Sequence, residues 1–114
     1  MDIEELRQYC LAKEDVAEGL PFGPGVLVFK VAGNIFLLLP LDSVPVQFNV
    51  KCDAEKAVDL REQYSSVIPG YHMNKKYWNT VIIDGSIPSK LLQEFIDESY
   101  QLVRQGAKKK QKLK

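Results

Sequence analysis

The stretch from Val26 to Lys51, VLVFKVAGNIFLLLPLDSVPVQFNVK, constrains the fold of this 114-residue chain more than any other. It holds three runs rich in β-branched and aromatic residues, joined by connections too short to contain a helix. Parallel neighbours need a crossover of roughly a dozen residues or more, usually a helix, so strands joined this closely pair antiparallel. Ala32–Asn34 is a tight-turn signal, because Gly and Asn tolerate positive φ. In the third run Val46, Phe48 and Val50 alternate with Gln47, Asn49 and Lys51, which predicts a strand with one packed face and one wet face. Lys30, Gln47, Asn49 and Lys51 are expected to share that wet face. Strict alternation would leave one pair, either Ile35 and Leu37 or Phe36 and Leu38, on it as well.

The flanking segments supply helices. Asp2 can cap a short helix to about Ala12, with Glu4 and Glu5 in its first turn and Ile3, Leu6 and Cys10 about one turn apart. The Gly- and Pro-rich EGLPFGPG ends it in an irregular loop whose Phe22 is expected to tuck into the core. Asp53 can cap a second helix through about Tyr64 that buries Ala57, Val58 and Leu60 or Tyr64. VIPGYHM and YWNTVII read as two strands around a turn at Asn74–Lys76. Ser86 can cap the last helix, with Pro88 in its first turn. Its apolar face is Leu91, Leu92, Phe95, Ile96, Ser99, Leu102 and Val103, and Gly106 reads as its stop. The order α-β-β-β-α-β-β-α predicts an α+β fold, a two-layer α/β structure with an antiparallel sheet and helices on one face. Residues 1–106 are expected to form one domain, and 107–114 a basic disordered tail.

Charge is unevenly placed. Residues 1–100 carry nine Lys and Arg against fifteen Asp and Glu, a balance of −6, and residues 101–114 carry +6. An acidic body with a basic end points to an anionic partner or to a solvated terminus. Cys10 and Cys52 lie far apart with no metal-ligand spacing, so they read as reduced thiols with no bound metal. The start MDIEELRQYC is no signal peptide, and the longest apolar run is far short of the roughly 20 residues that span a bilayer, so a cytoplasmic location without membrane contact is expected. No GxGxxG, P-loop or GxSxG stretch is present. With one His and two distant Cys, neither enzyme activity nor a cofactor is expected.

Chemistry-bearing side chains concentrate in PGYHMNKKYWNT, which holds the only His, His72, and the only Trp, Trp78. A turn at its centre would put Lys75 and Lys76 at a hairpin tip, where ammonium groups contact phosphates and Asn74 or Asn79 hydrogen bonds to sugar or base. Exposed aromatics there could stack on unpaired bases. The structural alternative is a core Trp beside lysines that protect an exposed hairpin. His72 as a metal ligand lacks a second ligand nearby in sequence.

Four segments carry a family resemblance: LPFGPGVLVFKVAGNIFLLL, NVKCDAEKAVDLREQY, VIPGYHMNKKYWNTVIIDGSIP and the terminal amphipathic helix. Together they resemble the MmcQ/YjbR-like proteins over residues 1 to about 105. The resemblance implies an α-β3-α-β2-α fold of the secretion-chaperone-like group, in small, mostly bacterial, cytoplasmic proteins. It also implies DNA binding through a "double wing" arrangement. The matching positions are Phe22, Lys51, His72, Asn74, Lys75, Lys76, Trp78 and Asn79. Leu20 departs from the family's FPFG pattern, and the basic tail lies outside the motif. The leading expectation is a non-enzymatic DNA-binding module in which Lys51 and the hairpin lysines reach phosphates. The alternative is protein interaction, by peptide docking or self-association through the open sheet face.

Overall fold

The computed structural model describes residues 1–70 and 73–112, with side chains through residue 107. Helix α1 (Ile3–Leu11) starts in a capping box: Asp2 accepts from the Glu5 amide at 2.8 Å and Glu5 reaches back to the Asp2 amide. Strands β1 (Val16–Gly19), β2 (Val26–Val31), β3 (Asn34–Pro40) and β4 (Gln47–Lys51) follow. Then come α2 (Ala54–Gln63), β5 (Val67–Pro69), β6 (Trp78–Ile82) and α3 (Ser89–Lys112). The strands form one open antiparallel sheet in the order β1-β2-β3-β4-β6-β5. The expected α+β class therefore holds, with helices packed on one face.

One strand more is present than the sequence predicts. β1 (VAEG) pairs Val16–Gly19 with Val31–Val28. Ala17 and Glu18 are exposed, so this edge strand has no apolar alternation to betray it, and main-chain pairing alone defines it. Glu18 also receives a two-pronged contact from Arg7 of α1, at 2.8 and 2.6 Å. Other boundaries shift too. Ser86 does not cap α3; its amide and hydroxyl both bond Asp84. α3 does not stop at Gly106 but continues to Lys112, so the basic segment from 107 is helical as far as it is described. Val58 of α2 is exposed, whereas Ala57 is buried and Leu60 and Tyr64 are partly buried against the core.

A β-bulge decides which β3 residues face the helices. Phe29 lies opposite Leu37 and Lys30 opposite Ile35, so Phe36 has no partner across the strand pair. Strict alternation fails as a result. Phe36 and Leu37 both enter the helix-side core with Phe29, Phe48, Leu92 and Ile96. Ile35 and Leu38 both face the open side, where Leu38 packs with Val28 and Trp78. Both thiols are free and buried, and burial pushes Cys10 up to about 12 and Cys52 up to about 11.

The β3–β4 ladder is interrupted beside the bulge. Leu38 pairs with Asn49 and Leu37 with Val50. The next rung would join Phe36 to Lys51, and there the Ser99 hydroxyl of α3 is inserted. It donates to the Phe36 carbonyl at 2.6 Å and accepts from the Lys51 amide at 2.8 Å. Ser99 is fully buried, so one hydroxyl satisfies two backbone groups that no water reaches. Ser99→Ala should therefore cost about 1–3 kcal/mol in urea unfolding, more than an exposed Ser→Ala change.

Candidate functional site

Beyond the Ser99 rung, β3 and β4 no longer pair, and a groove of about 460 Å³ opens at that end of the sheet. Lys30, Lys51, Ile35 and Trp78 line its sheet side, and Leu102 and Gly106 line its α3 side. Lys30 and Lys51 stand on neighbouring parts of the open face, as expected from strand alternation. Among the described residues, neither forms an ion pair. The α3 backbone continues past the groove through Lys108, Lys109, Lys110 and Lys112. Lysines from β2 and β4 therefore border one concavity, which α3 closes with Leu102, Val103, Gly106 and Ala107.

The indole of Trp78 forms part of the wall rather than a free platform. It is 7% exposed and packs with Val28 and Leu38, flanked by Val26, Ile35 and Met73. Gly70 makes that placement possible. A Cβ at Gly70 would lie 3.1 Å from both the Cβ and the carbonyl oxygen of Trp78. The Gly70 amide also donates to that carbonyl at 2.9 Å.

The segment expected to be a tight hairpin is a wider loop. β5 ends at Pro69 and β6 starts at Trp78, and the turn at 74–77 is held by the Asn74 carbonyl, which accepts from the Tyr77 and Trp78 amides. The Asn74 side chain is used locally, accepting from the Lys76 amide at 3.0 Å. Arg61 of α2 clamps the loop, donating to the Lys75 carbonyl and, at 2.6 Å, to Asn79 Oδ1. Asn79 is 1% exposed on the helix side of the sheet, and its amide nitrogen donates to the Ala57 carbonyl at 3.3 Å. Both ends of that amide are committed inside the protein, so Asn79 cannot offer the surface hydrogen bond expected of it. Lys76 lies beside α2, in a recess shared with Glu55, Asp59 and Arg61, and its ammonium sits 5.5 Å from the Tyr77 ring centroid. His72 lies outside the described residues.

Of the sequence-nominated positions, Lys51 and Trp78 meet in the groove, and Lys75, Lys76 and Asn74 sit on the turn beside α2. Lys30, nominated with the open face, joins the groove. Ile35, one of the pair that alternation could leave on this face, also lines it, whereas the sequence did not nominate Gly33, Asn34, Leu102, Val103, Gly106 or Ala107. The available signal was a glycine, Gly106, inside an otherwise helical pattern. Phe22, expected to tuck in, is 64% exposed and lines a separate apolar recess of about 280 Å³ with Val26, Leu38 and Met73. Among the described residues, no group of three or more His, Cys, Asp or Glu could hold a metal ion, and no helix is long and apolar enough to cross a membrane.

An antiparallel six-stranded sheet with three helices, open on one face, is an architecture shared with solved bacterial proteins. The Deinococcus radiodurans protein DR2400, with a DUF419 domain, superposes with a TM-score of 0.85 at 37% identity, over 89% of this chain and 77% of that one. A Pseudomonas syringae protein superposes at 0.79 and 26% identity, over 91% of this chain and all of that one. The YjbR family profile matches residues 11–102, and the chain belongs to that family. It is 45% identical to the Escherichia coli O157:H7 protein YbdF over 94 residues, 81% of this chain and 76% of that protein. It is 35% identical to YjbR of Escherichia coli strain K12 over 101 residues, 89% and 86% of the two chains.

Gly70→Ala should crowd Trp78 and destabilise the fold by about 1–3 kcal/mol, as overpacking does. The single tryptophan reports the same event: its native emission should shift relative to wild type. An unchanged spectrum and melting temperature would show that the contact relaxes freely.

Proposed function

We propose that this chain is a non-enzymatic nucleic-acid-binding protein and that the groove of Lys30, Lys51 and Trp78 is its contact surface. The supporting observation is the meeting of two lysines without ion pairs, among the described residues, around one concavity that also holds Trp78. Lysine ammonium groups neutralise phosphates as point charges, releasing counterions and giving salt-dependent affinity. The turn lysines contribute less in this reading. Lys76 shares its recess with Glu55 and Asp59, so a phosphate approaching there meets carboxylates. The body's −6 balance also favours one local cationic end over broad coverage of a polyanion.

The test is binding of labelled DNA across a salt series. Each phosphate-neutralising lysine contributes about 0.7 to 0.9 to the log–log salt slope, so Lys30→Ala/Lys51→Ala should flatten it by about 1.4 to 1.8 and weaken binding. Lys75→Ala/Lys76→Ala should change the slope much less. Equal effects from the two double variants would return the hairpin turn to the interface, and no salt-dependent binding at low ionic strength would reject the reading.

A second reading, docking of a peptide or a second copy on the open face, is favoured by Phe22 at the rim of its apolar recess and by Val44, 95% exposed nearby in sequence to β4. Sedimentation of wild type and Phe22→Ser decides it: a concentration-dependent dimer lost in the variant supports self-association, and a monomer at all concentrations opposes it.

A further inference from the structure

Gly106 is the residue the fold does not explain. It lies inside α3, which continues to Lys112, and an interior helix glycine costs about 1 kcal/mol relative to alanine. Its φ is not in the left-handed region, and a Cβ placed on it would have nothing within 4 Å. Neither a turn nor a close backbone approach requires glycine there. What the missing side chain leaves is space, because Gly106 lines the groove on the same helix face as Leu102, Val103 and Ala107. Across the groove, Gly33 of the β2–β3 turn, with φ +81°, has equally open space at its Cβ position. Glycines on two walls keep the groove wide.

The size and lining define what the space admits. A volume of about 460 Å³ lies in the range of roughly 300–1,000 Å³ that sites for small organic molecules occupy. The floor and walls are apolar at Ile35, Trp78 and Leu102, and cationic at Lys30 and Lys51. An apolar slot beside two ammonium groups matches a planar base attached to a phosphate. A base pair inside a duplex cannot enter such a slot, since its faces are covered by its stacked neighbours. Charge points the same way: duplex DNA carries one negative charge per about 1.7 Å of axis, which an acidic body repels over any broad contact.

Resting on the nucleic-acid reading of the same groove, we infer that the groove accepts one unpaired nucleotide, its base against Trp78, Ile35 and Leu102 and its phosphate against Lys30 and Lys51. The preferred ligand is then single-stranded nucleic acid, and Gly106 is the residue that admits the base.

The experiment uses the full chain, a labelled oligothymidylate of about twelve nucleotides and a duplex of equal length, read by anisotropy and by Trp78 emission. Wild type should bind the single strand about tenfold or more tightly than the duplex and show quenching of its single tryptophan. Gly106→Leu fills the groove, keeps both lysines and replaces a poor helix former with a good one. It should keep or raise the melting temperature and lose about tenfold or more of single-strand affinity, with Gly106→Ala intermediate. Equal or tighter duplex binding, or undiminished single-strand binding by the folded Gly106→Leu protein, overturns the inference while leaving a salt-dependent nucleic-acid interface in place. Binding of neither nucleic acid by wild type overturns the parent reading, and this one with it.

Discussion

The Ser99 hydroxyl occupies a rung of the β-ladder, and the shape of the sheet follows from that substitution. A regular antiparallel pair would join the Phe36 carbonyl to the Lys51 amide directly. Here a side chain from α3 stands between them, so helix and sheet are tied at the point where β3 and β4 part company. The bulge at Phe36 has the same origin in packing. Two consecutive large side chains, Phe36 and Leu37, are needed on the helix side, and only an unpaired residue allows both to point there. One local irregularity therefore fills the core and opens the groove.

Around that point the polar groups are arranged to hold elements in position rather than to react. Arg61 spans from α2 to Asn79 and the Lys75 carbonyl, and Thr80 donates to Asn49 across β4 and β6. Tyr9 donates to Asp97 at 2.7 Å and Lys13 pairs with the same carboxylate, fixing α1 against α3; burial, with Asp97 alongside, raises the Tyr9 hydroxyl's pKa. Lys56 and Glu98 do the same between α2 and α3, and the carboxylate raises the lysine. Among the described residues, Lys30 and Lys51 take no part in such ion pairs, and the fold leaves both lining a cavity.

The class of fold was legible because hydrophobic periodicity is a local property. The strand runs at Val26–Val31 and Gln47–Lys51, the Asp2 cap and the apolar stripe of α3 could each be read without knowing any partner. β1 could not, since an exposed edge strand is defined by the chain it pairs with. The fates of Asn79 and Phe22 were equally hidden. A buried amide satisfied by Arg61 and Ala57 looks, in sequence, the same as a surface amide beside two lysines. A Phe in a Gly/Pro loop carries no mark of which way the loop folds.

The sequence by itself determined the elements other than the edge strand β1, their antiparallel pairing and the separation of an acidic body from a basic end, because each depends on neighbours within a few positions. The tertiary structure alone decided that α3 would close a groove over those cations. Strand alternation already put Lys30 and Lys51 on one face, but Gly106 lies 55 positions beyond Lys51 and no local rule links it to them. They border one groove because a bulge shifts one strand's facing and a helix hydroxyl replaces one main-chain bond, and both are outcomes of how the layers pack.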